Sequence, residues 1–308
     1  MATFTSPIKS TAPIKMMYLG HTGAGKTGST MSLVAAGYKV RHLSWDGLPE
    51  IMADFIHNPK SIYRTARPGL WDAQTVESLS SRFHFETVTE GRNLIGGKAI
   101  PKGDSWQKAQ LFLNNWIDSE TKEKFGNIST WGSDTVLVLD SYSRMCEAAM
   151  NFQLAMNGRL AKGPQVGTYE DNDYSAMYRN MFDFLDLLKC DEVKCNIILI
   201  CHIDFIDISP DAQGGKPNSA TKDLRGFPQT IGSGRKLGPK IGQYFNHALR
   251  AKQTGTFPVI KREIVTNGDD SIELKNIAPL KVRQSYPLET GLAEYFAAIR
   301  GPLQVESK

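Results

Sequence analysis

The chain has no apolar run long enough to cross a bilayer, and its first fifteen residues, Met1 to Lys15, lack the apolar stretch of a secretion signal. The expectation is a soluble, cytoplasmic protein with no membrane partner. Cysteine is scarce: among 308 residues there are four, Cys146, Cys190, Cys195 and Cys201. None form a CxxC pair, which argues against a zinc knuckle and for reduced, partly buried thiols. Neither sign of charge dominates, with 36 Lys and Arg against 32 Asp and Glu. A net charge of +4 permits a nucleic-acid partner without requiring one, because local patches matter more than the sum. Internal repeats and low-complexity segments are also missing. The 41% hydrophobic content is enough for a buried core, and the length allows one large α/β domain or two small ones. One continuous domain over residues 13–300 fits best, between loose tails at 1–12 and 301–308.

The pattern of apolar residues supplies the elements. Residues 14–19 read as a strand ending at Gly20, 28–36 as a helix closed by Gly37, and 38–45 as a second strand. Residues 49–56 have helical character. Residues 59–104 mix aromatics, glycines and charges without a clean period and read as an insertion or an elaborated sheet edge. Trp106, Ala109, Leu113, Trp116 and Ile117 fall at helical spacing, as do Tyr174, Met177, Met181, Leu185 and Leu188. The runs TVLVL at 135–139 and NIILIC at 196–201 are continuously apolar, as strands covered on both faces of a parallel sheet are. Residues 204–243 are rich in Gly and Pro and read as a long loop, functional or mobile. Strands are expected at 246–252, 257–265 and 272–274, the last two joined around Asn267-Gly268, with a closing helix through Leu292, Tyr295, Phe296 and Ile299.

One motif carries chemistry. Gly20-His21-Thr22-Gly23-Ala24-Gly25-Lys26-Thr27 stands between a strand and a helix, the setting that gives a phosphate-binding loop its meaning. Glycines let the backbone curl and present N–H groups to an anion, and the helix from Gly28 onward directs its positive end at the same place. Lys26 supplies a charge for the β- and γ-phosphates, and the Thr27 hydroxyl suits Mg²⁺. Asp140 closes the TVLVL strand with a single carboxylate and is the candidate second metal residue, acting through water; its alternative is a cap for the helix after Ser141. Asp46, ending the second strand, either orients an attacking water or is a turn residue of Asp46-Gly47. His202, ending NIILIC, either senses the γ-phosphate or is structural.

Taken together, GHTGAGKT, a strand ending in Asp46, TVLVLDS, NIILICH, a Gly-rich loop and late antiparallel strands resemble RecA-type ATPases. They are most similar to compact phage-encoded nucleotide-binding proteins, including RecA-like single-strand annealing proteins. The resemblance implies a three-layer α/β core with a mainly parallel central sheet and C-terminal antiparallel strands. It implies ATP and Mg²⁺ as cofactors, Lys26, Asp46, Asp140 and His202 as catalytic residues, and an Asp46 shorter than the family's Glu, hence slow turnover. It also implies action on single-stranded DNA in recombination or replication, and a homo-oligomer. The alternative is a nucleotide-dependent assembly factor or small-molecule kinase that does not touch DNA.

DNA-contacting loops are implied after TVLVL and NIILIC. Between residues 222 and 252 the cations Lys222, Arg225, Arg235, Lys236, Lys240, Arg250 and Lys252 face one acid, Asp223, and Phe227 and Tyr244 offer stacking surfaces. The same cluster reads equally as a solvated loop or as cations reaching a neighbour's ATP. Residues 170–192 carry seven acids against Arg179 and Lys189, so an acidic face and a basic loop invite head-to-tail pairing. Lys281 and Arg283 resemble basic residues that such proteins place near a neighbour's triphosphate, or are ordinary surface charges.

Overall fold

The computed structural model describes residues 12–47, 49–61, 65, 71, 75–95, 97–160, 169–208, 224–231, 237–255, 259–269 and 271–303. Its strands in chain order are β1 (Lys15–Gly20), β2 (Lys39–Ser44), β3 (Phe83–Thr87), β4 (Arg92–Ile95), β5 (Lys98–Pro101), β6 (Trp116–Ile117), β7 (Lys124–Gly126), β8 (Thr135–Asp140), β9 (Asn196–Cys201), β10 (Ile203–Asp207), β11 (Leu224–Pro228), β12 (His247–Thr254), β13 (Lys261–Val265) and β14 (Ser285–Pro287). Eight form one sheet in the order β14-β13-β12-β1-β9-β8-β2-β3. From β12 to β3 all neighbours run parallel, whereas β13 and β14 add on antiparallel. This is the α/β class with a mainly parallel sheet and C-terminal antiparallel strands.

The apolar runs are continuous because both faces of the sheet are covered. Leu137 and Leu139 of β8 and Ile197 and Leu199 of β9 enter one core, with helices α5 (Ser105–Asn114), α6 (Tyr142–Met156) and α7 (Asp171–Lys189). Val136, Val138, Ile198 and Ile200 enter the other, with α2 (Met31–Ala35), α3 (Pro49–His57) and α9 (Gly291–Arg300). Each fully buried side chain of this size contributes about 1.5–3 kcal/mol, so the central strands are pinned from both sides. The strands' carboxyl ends, where the polar candidates sit, are thereby fixed to one edge.

Several elements differ from the sequence expectations. The helix after the phosphate loop starts at Lys26 and divides at Thr30 into Lys26–Ser29 and Met31–Ala35. Ser29, Thr30 and Ser32 each donate a side-chain hydroxyl to the carbonyl three residues back, at 2.7–2.8 Å, and so compete with the regular ladder. Trp116 and Ile117 leave α5 for the short hairpin β6–β7. Within 59–104, β3 forms the sheet edge beside β2, and β4–β5 make a separate hairpin. Residues 272–274 make only an isolated bridge at Ile272, with another just beyond at Lys275, and the third antiparallel strand is β14 instead. Inside 204–243, β10 and β11 pair as a hairpin, and residues 209–223 and 232–236 lie outside the described ones.

Candidate nucleotide site

The sheet register gathers the polar candidates. Ser44 of β2 pairs with Asp140 of β8, Trp45 donates its backbone N–H to the Asp140 carbonyl at 2.7 Å, and Leu19 of β1 pairs with Cys201 of β9. Gly20, Asp46, Asp140 and His202 therefore leave neighbouring strands at the same edge. Between them is a cavity of about 400 Å³ that holds Lys26, Thr27, Asp46, Asp140 and His202, with Phe85 and Met52 as its apolar wall.

Gly20, His21, Thr22, Gly23, Ala24, Gly25, Lys26, Thr27 and Gly28 fold as a compact loop running into helix. Gly23 and Gly25 take positive φ of 77° and 85°, a region that side-chain-bearing residues avoid. The Lys26 side chain lies back along the loop and donates to the Gly20 and His21 carbonyls at 2.8 and 2.9 Å. Burial holds its ammonium at a pKa of about 8, against the partial support of Asp140.

Thr27 donates its hydroxyl to Asp140 Oδ2 at 2.7 Å. The proton used in that bond leaves the Thr27 oxygen lone pairs for a hard cation, and Asp140 brings a carboxylate, so this donor set fits Mg²⁺. Burial pushes the Asp140 carboxyl up, but His42, Thr27 and Lys26 together outweigh it and the net shift is downward. Asp140 is ionised at neutral pH.

Asp46 is clamped rather than free at a turn. Its Oδ2 accepts from the Ser141 hydroxyl at 2.9 Å and its Oδ1 from Arg144 Nε at 3.2 Å, while Arg144 also pairs with Glu147 at 2.6 Å. His202 Nδ1 lies 3.4 Å from the Thr22 hydroxyl, and burial, then Lys26, holds its pKa below the usual value. A neutral imidazole beside the loop can exchange hydrogen bonds in either direction. His21 stacks on Phe205 of β10 with centroids 6.0 Å apart, so the loop touches the β10–β11 hairpin there and the residue just before it at His202.

Two neighbours of these candidates were not singled out in the sequence. Arg144 carries no motif, since its partner Asp46 is 98 residues away. His42 lies in the middle of β2, fully buried, with Nε2 3.4 Å from Asp140 Oδ2. The only signal in the sequence is a polar residue on the β2 face that otherwise enters the core through Val40.

The cation candidates do not converge on this cavity. Arg225 pairs with Glu273 at 3.5 Å, Arg250 with Asp269 at 3.3 Å, and Lys240 is exposed on the short helix Gly238–Ile241. Lys222, Arg235 and Lys236 lie outside the described residues. The Tyr244 ring is covered by Phe182, at 6.0 Å, and by Lys189. Lys281 and Arg283 line a cavity of about 540 Å³ with Ala36 and Tyr38, at the start of β2. The phosphate loop follows the end of β1, so the two cavities sit at opposite ends of a parallel sheet. Arg283 is paired there with Glu294 at 3.1 Å. Of the acids at 170–192, Glu170 and Asp173 form a capping box at the start of α7 and pair with Arg159. They serve the helix first.

Among the described residues, no helix is long and apolar enough to cross a membrane. No protein-family model and no curated protein sequence matches the chain. Among solved structures, it is similar to the RadB recombinase, at 12% identity over 91% of this chain and 90% of that one, with a TM-score of 0.41. It is similar to the flagellar accessory protein FlaH from Methanocaldococcus jannaschii, at 12% identity, 91% and 88% coverage and a TM-score of 0.36. A KaiC-like protein from Pyrococcus horikoshii OT3 matches at 9% identity, 92% and 96% coverage and a TM-score of 0.40. Likenesses this distant leave the function to be read from the site.

Proposed function

We propose that the chain is an ATPase that binds ATP with Mg²⁺ at Gly20–Thr27, turns it over slowly, and uses nucleotide state to govern a hold on single-stranded DNA. The observation that carries the reading is the 2.7 Å bond from Thr27 to Asp140, which joins the phosphate loop to the neighbouring strand in a cation-ready pair. Thr27 and, through water, Asp140 would hold Mg²⁺, which neutralises charge on the β- and γ-phosphates when bound. The Lys26 ammonium exchanges the Gly20 and His21 carbonyls for phosphate oxygens. Asp46 orients a water whose oxygen bonds to the γ-phosphorus as the bond to the ADP oxygen breaks, and the water's proton leaves by way of the carboxylate. Clamped by Ser141 and Arg144, that carboxylate is a restrained base, which supports slow turnover.

The DNA part of the proposal draws on the hairpin β10–β11, which starts at Ile203, next to His202, and carries Arg225. A homo-oligomer belongs to the same reading, with Lys281 and Arg283 of one copy near the nucleotide of the next. Phosphate release with and without single-stranded DNA, with Lys26→Ala as control, tests both parts. Turnover that is Lys26-dependent and DNA-stimulated is expected. Phosphate release unaffected by Lys26→Ala overturns the ATPase, and turnover and affinity both indifferent to DNA overturn the DNA role.

A second reading is favoured by one feature. Asp46 also lines an adjacent polar cavity of about 280 Å³, with Arg92, Arg144, Glu147 and Asn151. A small hydroxyl-bearing acceptor seated there would meet the same carboxylate, making the reaction phosphoryl transfer. ADP formation outrunning free phosphate release in the presence of candidate acceptors distinguishes it from hydrolysis.

A further inference from the structure

We infer that His42 is a positioning residue for Asp140, fixing the rotamer of the carboxylate that serves the metal; this rests on the reading of the cavity as a Mg²⁺–nucleotide site. The placement follows from register. His42 sits opposite Val138 on β8 and opposite Phe85 on β3, which makes it the diagonal neighbour of Asp140 on the same face of the sheet. Its ring is fully buried, stacked on Phe85 with centroids 4.8 Å apart and met edge-on by Phe83 at 6.5 Å. Two aromatic walls fix the plane of the imidazole. In that plane Nε2 is the nitrogen that faces the carboxylate, 3.4 Å from Oδ2.

A polar ring here is costly. Neither ring nitrogen has a well-aligned hydrogen bond among the described residues, and burying such a group without full partners is unfavourable where a leucine would fill the space. The contact with Asp140 is what sets this ring apart from filler. Thr27 and His42 both approach Oδ2, one from the phosphate loop and one from beneath, so the carboxylate is gripped on one oxygen. Neither contact uses Oδ1, which stays available for a water on the cation. Groups that orient the residues around a metal tune its affinity, and His42 would do so through Asp140 and its water.

The test is the Mg²⁺ dependence of nucleotide binding, read from the fluorescence of a labelled, non-hydrolysable ATP analogue. His42→Phe keeps the ring and the stack but removes the polar contact, and His42→Gln returns an N–H near the Nε2 position. The Phe variant is expected to need roughly 10-fold more Mg²⁺ for half-saturation, with analogue affinity in EDTA unchanged and the Gln variant recovering part of the loss. Equal Mg²⁺ requirements for wild type and the Phe variant overturn the inference. So does an equal loss with and without metal, which marks His42 as packing. If the Phe variant does not fold, His42→Leu against His42→Gln makes the same comparison. Wild-type protein that binds the analogue with no Mg²⁺ dependence overturns the Mg²⁺–nucleotide reading itself, which keeps the two failures distinct.

Discussion

Thr27 Oγ1 and Asp140 Oδ2 are joined at 2.7 Å across 113 residues of chain, and this bond is where the phosphate loop meets the central sheet. Its two partners act as one unit, so their loss is not additive. Thr27→Val and Asp140→Asn are each expected to weaken Mg²⁺-dependent analogue binding, and the double variant to lose less than the two effects combined. Coupling of about 0.5–3 kcal/mol in a double-mutant cycle on Mg²⁺ affinity is the expected result. Additive losses would mean that the two residues serve the cation separately.

Lys26 links the site to stability through pH. Burial lowers its folded-state pKa from 10.5 to about 8. The unfolded chain therefore binds the extra proton between those values, and the nucleotide-free protein gains stability as pH rises from about 8 toward 10.5. Below about pH 8 both states are charged and the penalty of the buried ammonium is complete. Lys26→Met, which keeps the stem without the charge, is expected to melt above wild type at pH 7. That advantage narrows through the same window in thermal melts without nucleotide. A gap that widens with pH would contradict the burial of the charge.

The sequence made the loop, the two apolar strands and Asp46, Asp140 and His202 visible because each lies in, or at the end of, a local pattern. Period and terminal position then place them at one edge of a parallel sheet. Arg144 and His42 carry no such pattern. The clamp on Asp46 needs the register of β2 against β8, and the His42 contact needs a diagonal across the same pair. Strand boundaries near 272–274 failed for a related reason: Ile272 is buried against the hairpin residue Gly226, so its apolar character reflects packing rather than a ladder. The divided helix after Lys26 was hidden because three hydroxyls change the hydrogen bonding without disturbing the apolar spacing.

Asp46 is held between Ser141 and Arg144, and the two restraints separate its possible roles. Asp46→Asn is expected to lower kcat by about 10²-fold or more with little change in the KM for ATP, as removal of a base does. Arg144→Ala removes one restraint while the Ser141 bond keeps the carboxylate in place. Steady-state phosphate release should then show an Arg144→Ala effect much smaller than that of Asp46→Asn. An Asp46→Asn variant with wild-type kcat would reduce Asp46 to the turn residue that the pair Asp46-Gly47 also allows.

Phe205 offers the most direct route from the loop to the hairpin. Its ring is 38% exposed and stacks on His21, while the neighbouring tie, Thr22 to His202, is a long 3.4 Å contact. Neither ring of the stack lines the cavity between the strand ends. If nucleotide state reaches the hairpin through this contact, Phe205→Ala is expected to leave DNA-free turnover within about two-fold of wild type, as an exposed substitution should. Stimulation by single-stranded DNA should fall, and the binding of DNA in low salt should no longer depend on nucleotide. A Phe205→Ala protein with full DNA stimulation would move the coupling to His202 alone, where His202→Ala in the same assay should abolish it.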